Sequence, residues 1–180
     1  MAMLQPDRFF TRLSAIDIKR DLLDVGITHA LLDVDNTVRS RADNEVPSDV
    51  RAWIDEARGQ GVGLVLFSNS WHDATLEFGR ELSLPVVMRS VKPLPFATLH
   101  AMRVVDGRRG DTVVIGDQIL TDVLSAHVVG MKAYLVMPLS DVNIKSAQWQ
   151  RKVEKHVLRG RVPEKAQERE EGAQWSVCTS

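Results

Sequence analysis

Five short, unbroken apolar runs constrain this chain more than any other feature: THALLDVD from Thr28, GVGLVLFSN from Gly61, LPVVMRS from Leu84, DTVVIGD from Asp111 and MKAYLVMP from Met131. They are continuous rather than alternating, as strands are when both faces of their sheet are covered. The stretches between them are amphipathic. In SDVRAWIDEARGQG, Val50, Trp53, Ile54 and Ala57 follow the i, i+3, i+4, i+7 spacing of one helix face, with Pro47 and Ser48 at the start and Gly59 or Gly61 at the stop. In KPLPFATLHAMRVVDG, Pro95 suits a first helical turn and Gly107 a stop. Strand alternating with helix predicts a parallel sheet with right-handed crossovers. No period of repeat-protein length is present.

Polar residues gather where these runs end. Asp33 and Asp35 close the first, Ser68 and Asn69 the second, Lys92 follows the third, and Asp117 closes the fourth, with Asp122 shortly after. Open parallel sheets bind ligands outside the carboxyl ends of their strands. Separate segments therefore deliver acid, hydroxyl, amine and acid to one edge.

Composition narrows the classes. A chain of 180 residues with 44% hydrophobic content fits one domain with a real core. Acidic and basic residues nearly cancel, 24 against 23, so charge points to no nucleic-acid partner. The single cysteine, Cys178, permits no intramolecular disulfide, which fits a reducing compartment. No run approaches the roughly 18 apolar residues of a spanning helix. Pro6, Asp7 and Arg8 interrupt any signal-peptide core. The expected setting is cytoplasmic.

Asp33, Asp35 and Asp117 converging without compensation would repel one another, and a hard cation would relieve that. Few, oxygen-only ligands suit Mg²⁺ with waters retained. A metal alone leaves Ser68 and Lys92 without a task. A hydroxyl donor and a positive charge are what a phosphoryl group needs. Asp33 can then attack as nucleophile, giving an aspartyl-phosphate, while Asp35 protonates the leaving oxygen and later deprotonates water.

Other readings fit less well. An EF-hand loop starting at Asp33 would place Thr37, Val38 and Asn44 where Asp or Asn, Gly and Glu belong. A signalling receiver domain needs its acceptor aspartate at the end of the third strand, and LPVVMRS has none. Cys178 lacks the arginine and loop of a cysteine phosphatase, and the histidines form no zinc pattern. His72 follows the second strand as an ordinary first-turn residue of the next helix.

The ordered set DVDNT, LFSNS, VKP and IGDQILTD, from Asp33 to Asp122, resembles the haloacid dehalogenase (HAD)-like phosphatase superfamily. Together with LQPDRFF, the run IGDQILTDVLSAHVVGMKAYLVMPLS and the basic QRKVEKHVL, it is similar to the YqeG-like subfamily of subclass IIIA as far as about Arg161. Relatives of that subfamily in mitochondria and plastids act as phosphatidylglycerophosphate phosphatases. The resemblance implies a Rossmann-like three-layer α/β/α fold around a five-stranded parallel sheet, with strand order 5-4-1-2-3. It implies Mg²⁺ held by Asp33, the backbone carbonyl of Asp35 and Asp117, with Asp122 acting from behind through water or Lys92. Thr37, Ser68, Asn69 and Lys92 form the implied phosphate-binding set. Thr37 also supports the first motif's turn, and Lys92 neutralises both nucleophile and phosphate. Val34 and Val38 replace the usual leucines, and Ser70 stands where a second asparagine is common.

Caps select substrates in this superfamily. The intervals Thr37 to Ser68 and Lys92 to Asp117 hold no room for a large cap domain, so the site should be open to a large or membrane-borne substrate, or be covered by another subunit. On a helix, Trp149, Val153 and Val157 share one stripe, with Arg151, Lys152, Lys155 and Arg159 opposite. A stripe of this kind more often packs on a core, yet it also suits peripheral contact of residues 149–159 with an anionic bilayer. The expected domain is 1–162, with 163–180 a polar flexible tail.

The expected activity is Mg²⁺-dependent phosphomonoester hydrolysis, with phosphatidylglycerophosphate as the favoured substrate and a soluble phosphorylated metabolite as the alternative. A non-catalytic interaction module on the same fold is the alternative outside enzymes, and intact Asp33 and Asp35 argue against it. Oligomeric state is not encoded legibly.

Overall fold

All five apolar runs become strands, and all pair in parallel. The structure, a computed structural model, describes residues 2–71, 74–140, 157, 158 and 160–165. In chain order its main elements are β1 (Arg8–Phe10), β2 (His29–Leu32), α1 (Ser48–Gly59), β3 (Gly63–Phe67), α2 (Ala74–Glu81), β4 (Val86–Val87), α3 (Pro95–Val104), β5 (Thr112–Gly116), α4 (Leu124–Val128) and β6 (Lys132–Val136). The sheet runs β1-β6-β5-β2-β3-β4. The order expected for the five runs is present, with one more strand outside it.

That sixth strand, β1, is the correction to the five-stranded expectation. It is three residues long, carries no periodic signal, and exists because β6 offers an edge: Phe9 lies opposite Leu135 and Phe10 opposite Val136. Glu164 covers the other side of β1, accepting from the Thr11 N–H at 2.8 Å and donating its own N–H to the Phe9 carbonyl at 2.8 Å. Its carboxylate pairs with Arg8. The first residues beyond 162 are thus docked on the sheet edge, while 166–180 lie outside the described residues.

Side-chain alternation along the strands builds a core on each face. Ala30, Leu32, Leu64, Leu66, Val113, Ile115 and Tyr134 point to one face. There they meet α1 through Val50, Trp53, Ile54 and Ala57, together with Leu13, Ile16 and Leu22 of the N-terminal segment. The apolar face of α1 read from its spacing is the face it buries, and each fully enclosed large side chain there contributes about 1.5–3 kcal/mol. Trp53 also donates its indole N–H to the Ile16 carbonyl at 2.7 Å, so the ring brings no unpaired polar group inside. On the other face, Leu31, Val65, Phe67, Val114, Ala133 and Leu135 pack against Ala101 of α3 and Ala126 of α4. Val157 and Leu158 join this second cluster as partly buried residues. The remaining residues of the 149–159 stripe lie outside the described set, as does His72.

Among the described residues no cap domain intrudes. A turn and α1 fill the interval between β2 and β3, and α3 leads from Lys92 into β5. Among the described residues no helix is long and apolar enough to cross a membrane.

Candidate active site

Sheet register sets the site. Leu32 lies opposite both Leu66 and Ile115, so the chains leaving β2, β3 and β5 emerge side by side at the carboxyl edge. Asp33 follows Leu32 directly, its N–H donated to the Ile115 carbonyl at 2.8 Å. Ser68 follows Phe67, its N–H donated to the Val87 carbonyl at 3.0 Å. Asp117 follows Gly116, and a π-helical turn, Ile119–Val123, then brings Asp122 back beneath it. Such turns insert a residue to re-aim a side chain and recur at functional sites.

Gly116 is what allows that return. A Cβ built there would lie 2.3 Å from Cγ and Oδ2 of Asp122. The aspartate packs against the bare Cα.

Lys92 sits at the centre, buried. Its ammonium donates to Asp33 Oδ1 at 2.5 Å, to Asp122 Oδ1 at 2.7 Å and to the Phe67 carbonyl at 3.0 Å. All three donors of the ammonium are thereby used. Burial opposes its charge, but Asp122 and Asp33 outweigh burial and hold its pKa above the ordinary lysine range.

Carboxylate oxygens of Asp33, Asp117 and Asp122 all lie within 4.8 Å of one another. Three carboxylates against one ammonium leave excess negative charge in an enclosed space. Burial, with Asp122 adding to it against the pull of Lys92, pushes Asp33 up to about 7. Burial, Asp33 and Asp122 together raise Asp117 well above the ordinary carboxylate range. Both oxygens of Asp122 are engaged, the second by the Gln118 N–H at 3.1 Å. Asp33 Oδ2 and Asp117 Oδ1 are instead enclosed and have no hydrogen-bond partner among the described residues. Two free, buried, hard oxygens beside uncompensated charge fit a divalent cation.

The other residues named from sequence fall at the same edge, with differing contacts. Asp35 is half-buried, and its carboxylate pairs with Arg39 at 2.9 Å and Arg41 at 3.5 Å rather than joining the cluster. Thr37 is fully buried, and its hydroxyl has no hydrogen-bond partner among the described residues. The Ser68 hydroxyl accepts the Ser70 N–H at 3.0 Å. Asn69 accepts the Lys92 N–H at 2.8 Å through its side-chain oxygen, locking the loop after β3 to the one before α3. Ser90 adds to this lock by donating to the Ser68 carbonyl at 2.6 Å. Sequence reasoning overlooked Ser90, Arg39 and Arg41. Their signal was only proximity, in RSVKP and in VRSR, directly beside the motifs. A cavity of about 510 Å³ between the N-terminal segment and α1, lined by Ile18 and Trp53, contains none of these residues.

Comparison with known proteins agrees with this geometry. The family described as HAD-hydrolase-like matches residues 91–140, which include Lys92, Asp117 and Asp122. The probable phosphatase YqeG of Bacillus subtilis (strain 168) is 29% identical over 154 residues, covering 85% of this chain and 88% of that protein. The chain is thus similar to haloacid dehalogenase-like hydrolases in sequence. Solved HAD-like structures share the fold at low identity. A hydrolase of this family from Brucella suis 1330 has a TM-score of 0.50 at 13% identity, covering 71% of this chain and 93% of its own. The cobalt-bound deoxy-D-mannose-octulosonate 8-phosphate phosphatase of Haemophilus influenzae has a TM-score of 0.52 at 13% identity, covering 74% of this chain and 88% of its own. HAD enzymes use a divalent metal, and an acidic triad of Asp33, Asp117 and Asp122 is present here.

Proposed function

We propose that this HAD-superfamily phosphatase hydrolyses a phosphomonoester with Mg²⁺ through a covalent phosphate on Asp33, and that phosphatidylglycerophosphate is its preferred substrate. The observation that carries the chemistry is the asymmetry of Asp33. Lys92 holds one of its oxygens and no hydrogen bond among the described residues occupies the other. A carboxylate fixed at one end by an ammonium is oriented for attack, and its second oxygen is left for the cation. In the first step an Asp33 oxygen bonds to phosphorus, and the ester oxygen leaves with a proton from Asp35. In the second, water attacks phosphorus, Asp35 takes the water's proton, and the Asp33–phosphorus bond breaks. Asp35 stands half-buried two residues beyond Asp33, its carboxylate positioned by Arg39 and Arg41. Asp33 and Asp117 would hold Mg²⁺, which supplies charge neutralisation for the phosphoryl oxygens when bound.

The lipid preference is supported by the absence of a cap and by similarity to the YqeG subfamily. We place the protein in the cytoplasm with peripheral contact to an anionic membrane. Arg151, Lys152, Lys155 and Arg159, expected to make that contact, lie outside the described residues, whereas Val157 packs against the core. The test is phosphate release from p-nitrophenyl phosphate, soluble phosphate esters and phosphatidylglycerophosphate in mixed micelles, with and without Mg²⁺. Wild type should release phosphate only with Mg²⁺ and most rapidly from the lipid, and Asp33→Asn should release none while unfolding like wild type. Residual turnover above about a tenth of wild type would place the attack on water instead. A faster soluble ester would replace the lipid by a metabolite.

A further inference from the structure

The mouth of the site is rimmed by large apolar side chains that face outward. Trp71, Val91, Leu94 and Phe96 are 64%, 52%, 51% and 80% exposed. They stand on the two loops that carry the site. Trp71 lies just beyond Ser68, Val91 and Leu94 flank Lys92, and Phe96 opens α3. These loops are tied to each other. Arg89 N–H donates to the Ser70 carbonyl at 3.1 Å, Ser90 N–H to the Ser68 carbonyl at 3.2 Å, and Lys92 N–H to Asn69 at 2.8 Å. The apolar rim is therefore held at a fixed place relative to Asp33 and Lys92. Val91 is held outward with φ 44°, a conformation a β-branched residue rarely adopts.

Scattered exposed apolar residues need no explanation, but a group at one rim does. The charge on the stretch that carries Val91, Leu94 and Phe96 is one-sided. The segment MRSVKPLPFATLHAMRVV, from Met88 to Val105, carries Arg89, Lys92 and Arg103 and not one carboxylate. Lys92 is turned inward to the site, and the guanidinium of exposed Arg89 lies 5.1 Å from the centre of the Trp71 ring. Aromatic rings with arginine beside them, apolar at the tip and cationic behind, are the composition of a surface that sits at the headgroup level of a bilayer. A second copy of the chain would bring the same cations and no carboxylate from this segment to meet them. A small soluble ester needs no apolar rim.

We propose that Trp71, Leu94 and Phe96 insert into the headgroup boundary of an anionic bilayer, with Arg89 on the lipid phosphates, so that the site opens directly onto the membrane. This rests on the phosphatase reading and assigns the face through which its lipid substrate is taken without leaving the bilayer.

The experiment is cosedimentation of the full chain with vesicles of equal parts phosphatidylglycerol and phosphatidylcholine, and with phosphatidylcholine alone. Turnover of p-nitrophenyl phosphate is followed in parallel. Wild type should bind the anionic vesicles and bind phosphatidylcholine weakly. The double variant Trp71→Ser/Phe96→Ser should lose at least about tenfold in partitioning, because two large apolar groups no longer leave water. Arg89→Gln should lose about fivefold at low salt and little at high salt, where surface charge is screened. Both should melt like wild type, since the replaced side chains are exposed, and turnover of p-nitrophenyl phosphate should be unchanged. Three results would overturn the proposal: wild type that ignores anionic vesicles, a double variant that binds as wild type does, or binding lost only when Arg151, Lys152, Lys155 and Arg159 become glutamine. A wild-type dimer that the double variant dissolves, with no vesicle binding, would make the rim an interface between copies and also overturn it. Vesicle binding requires no catalysis, so a protein that binds yet hydrolyses nothing refutes the phosphatase reading and leaves the docking surface standing.

Discussion

Replacing Gly116 by alanine adds one methyl group, and the structure places that group 2.3 Å from Cγ and Oδ2 of Asp122. No real Cβ tolerates such a contact, so one side must give. β5 is buried and paired on both sides, with β2 and β6, and cannot shift alone. Asp122 must move instead. Moving it breaks the bond from Lys92 at 2.7 Å and the bond from the Gln118 N–H at 3.1 Å. Losing these charge-assisted bonds costs about 1.5–3 kcal/mol, since Lys92 keeps Asp33 as a counter-charge. With a urea dependence of about 2 kcal/mol per molar, the unfolding midpoint should fall by about 0.8–1.5 M. Turnover should fall with it, since Lys92 would be held by Asp33 and the Phe67 carbonyl alone. Gly110 is the control: a Cβ there meets nothing within 4 Å, and Gly110→Ala should be within about 0.5 kcal/mol of wild type. Equilibrium urea unfolding followed by circular dichroism reads both. A Gly116→Ala protein as stable as the Gly110→Ala protein would refute the claim that Asp122 is packed against a bare Cα.

Asp117→Ala should leave the metal-free protein at least as stable as wild type, because it removes an enclosed carboxylate whose Oδ1 has no hydrogen-bond partner among the described residues. The same change should raise half-saturating Mg²⁺ by at least about tenfold, the low end of what loss of even an outer supporting group costs a metal site; an unchanged Mg²⁺ titration removes Asp117 from the cation. Asp21 tests stability against pH. Burial alone would raise its pKa, but hydrogen bonds from Arg20, Arg8 and the Asp17 N–H outweigh burial and hold it below the ordinary range. A depressed carboxylate stabilises the fold above its unfolded pKa, near 4, and that contribution disappears as pH falls through the folded value. Asp21→Asn should therefore cost about 1–3 kcal/mol at neutral pH and progressively less below about pH 4. A stability difference that stays constant down to pH 2 would contradict this.

The gathering of the named polar residues at one sheet edge was legible in the chain because its signals are local. Each motif residue directly follows a run of apolar residues, and a parallel sheet carries every strand's carboxyl end to one edge. The α1 core face was legible for the same reason, since a helix repeats its exposure every few residues along one segment. What the sequence could not show was anything that depends on two distant segments meeting. β1 has no pattern of its own and is a strand only because β6 and Glu164 hold its two edges. The third strand read as LPVVMRS shortens to Val86–Val87, with Pro85, which has no N–H to donate, just before it and Arg89 at φ 53° just after. Arg39 and Arg41 look like solvated surface until the turn after β2 folds them back onto Asp35. Asn69, expected to hold phosphate, spends its side-chain oxygen on the Lys92 N–H. The apolar rim was equally invisible, since Trp71 and Phe96 are far apart in sequence and nothing local marks either as exposed. Exposure belongs to the surface a side chain meets, and only the packed sheet decides which side chains meet none.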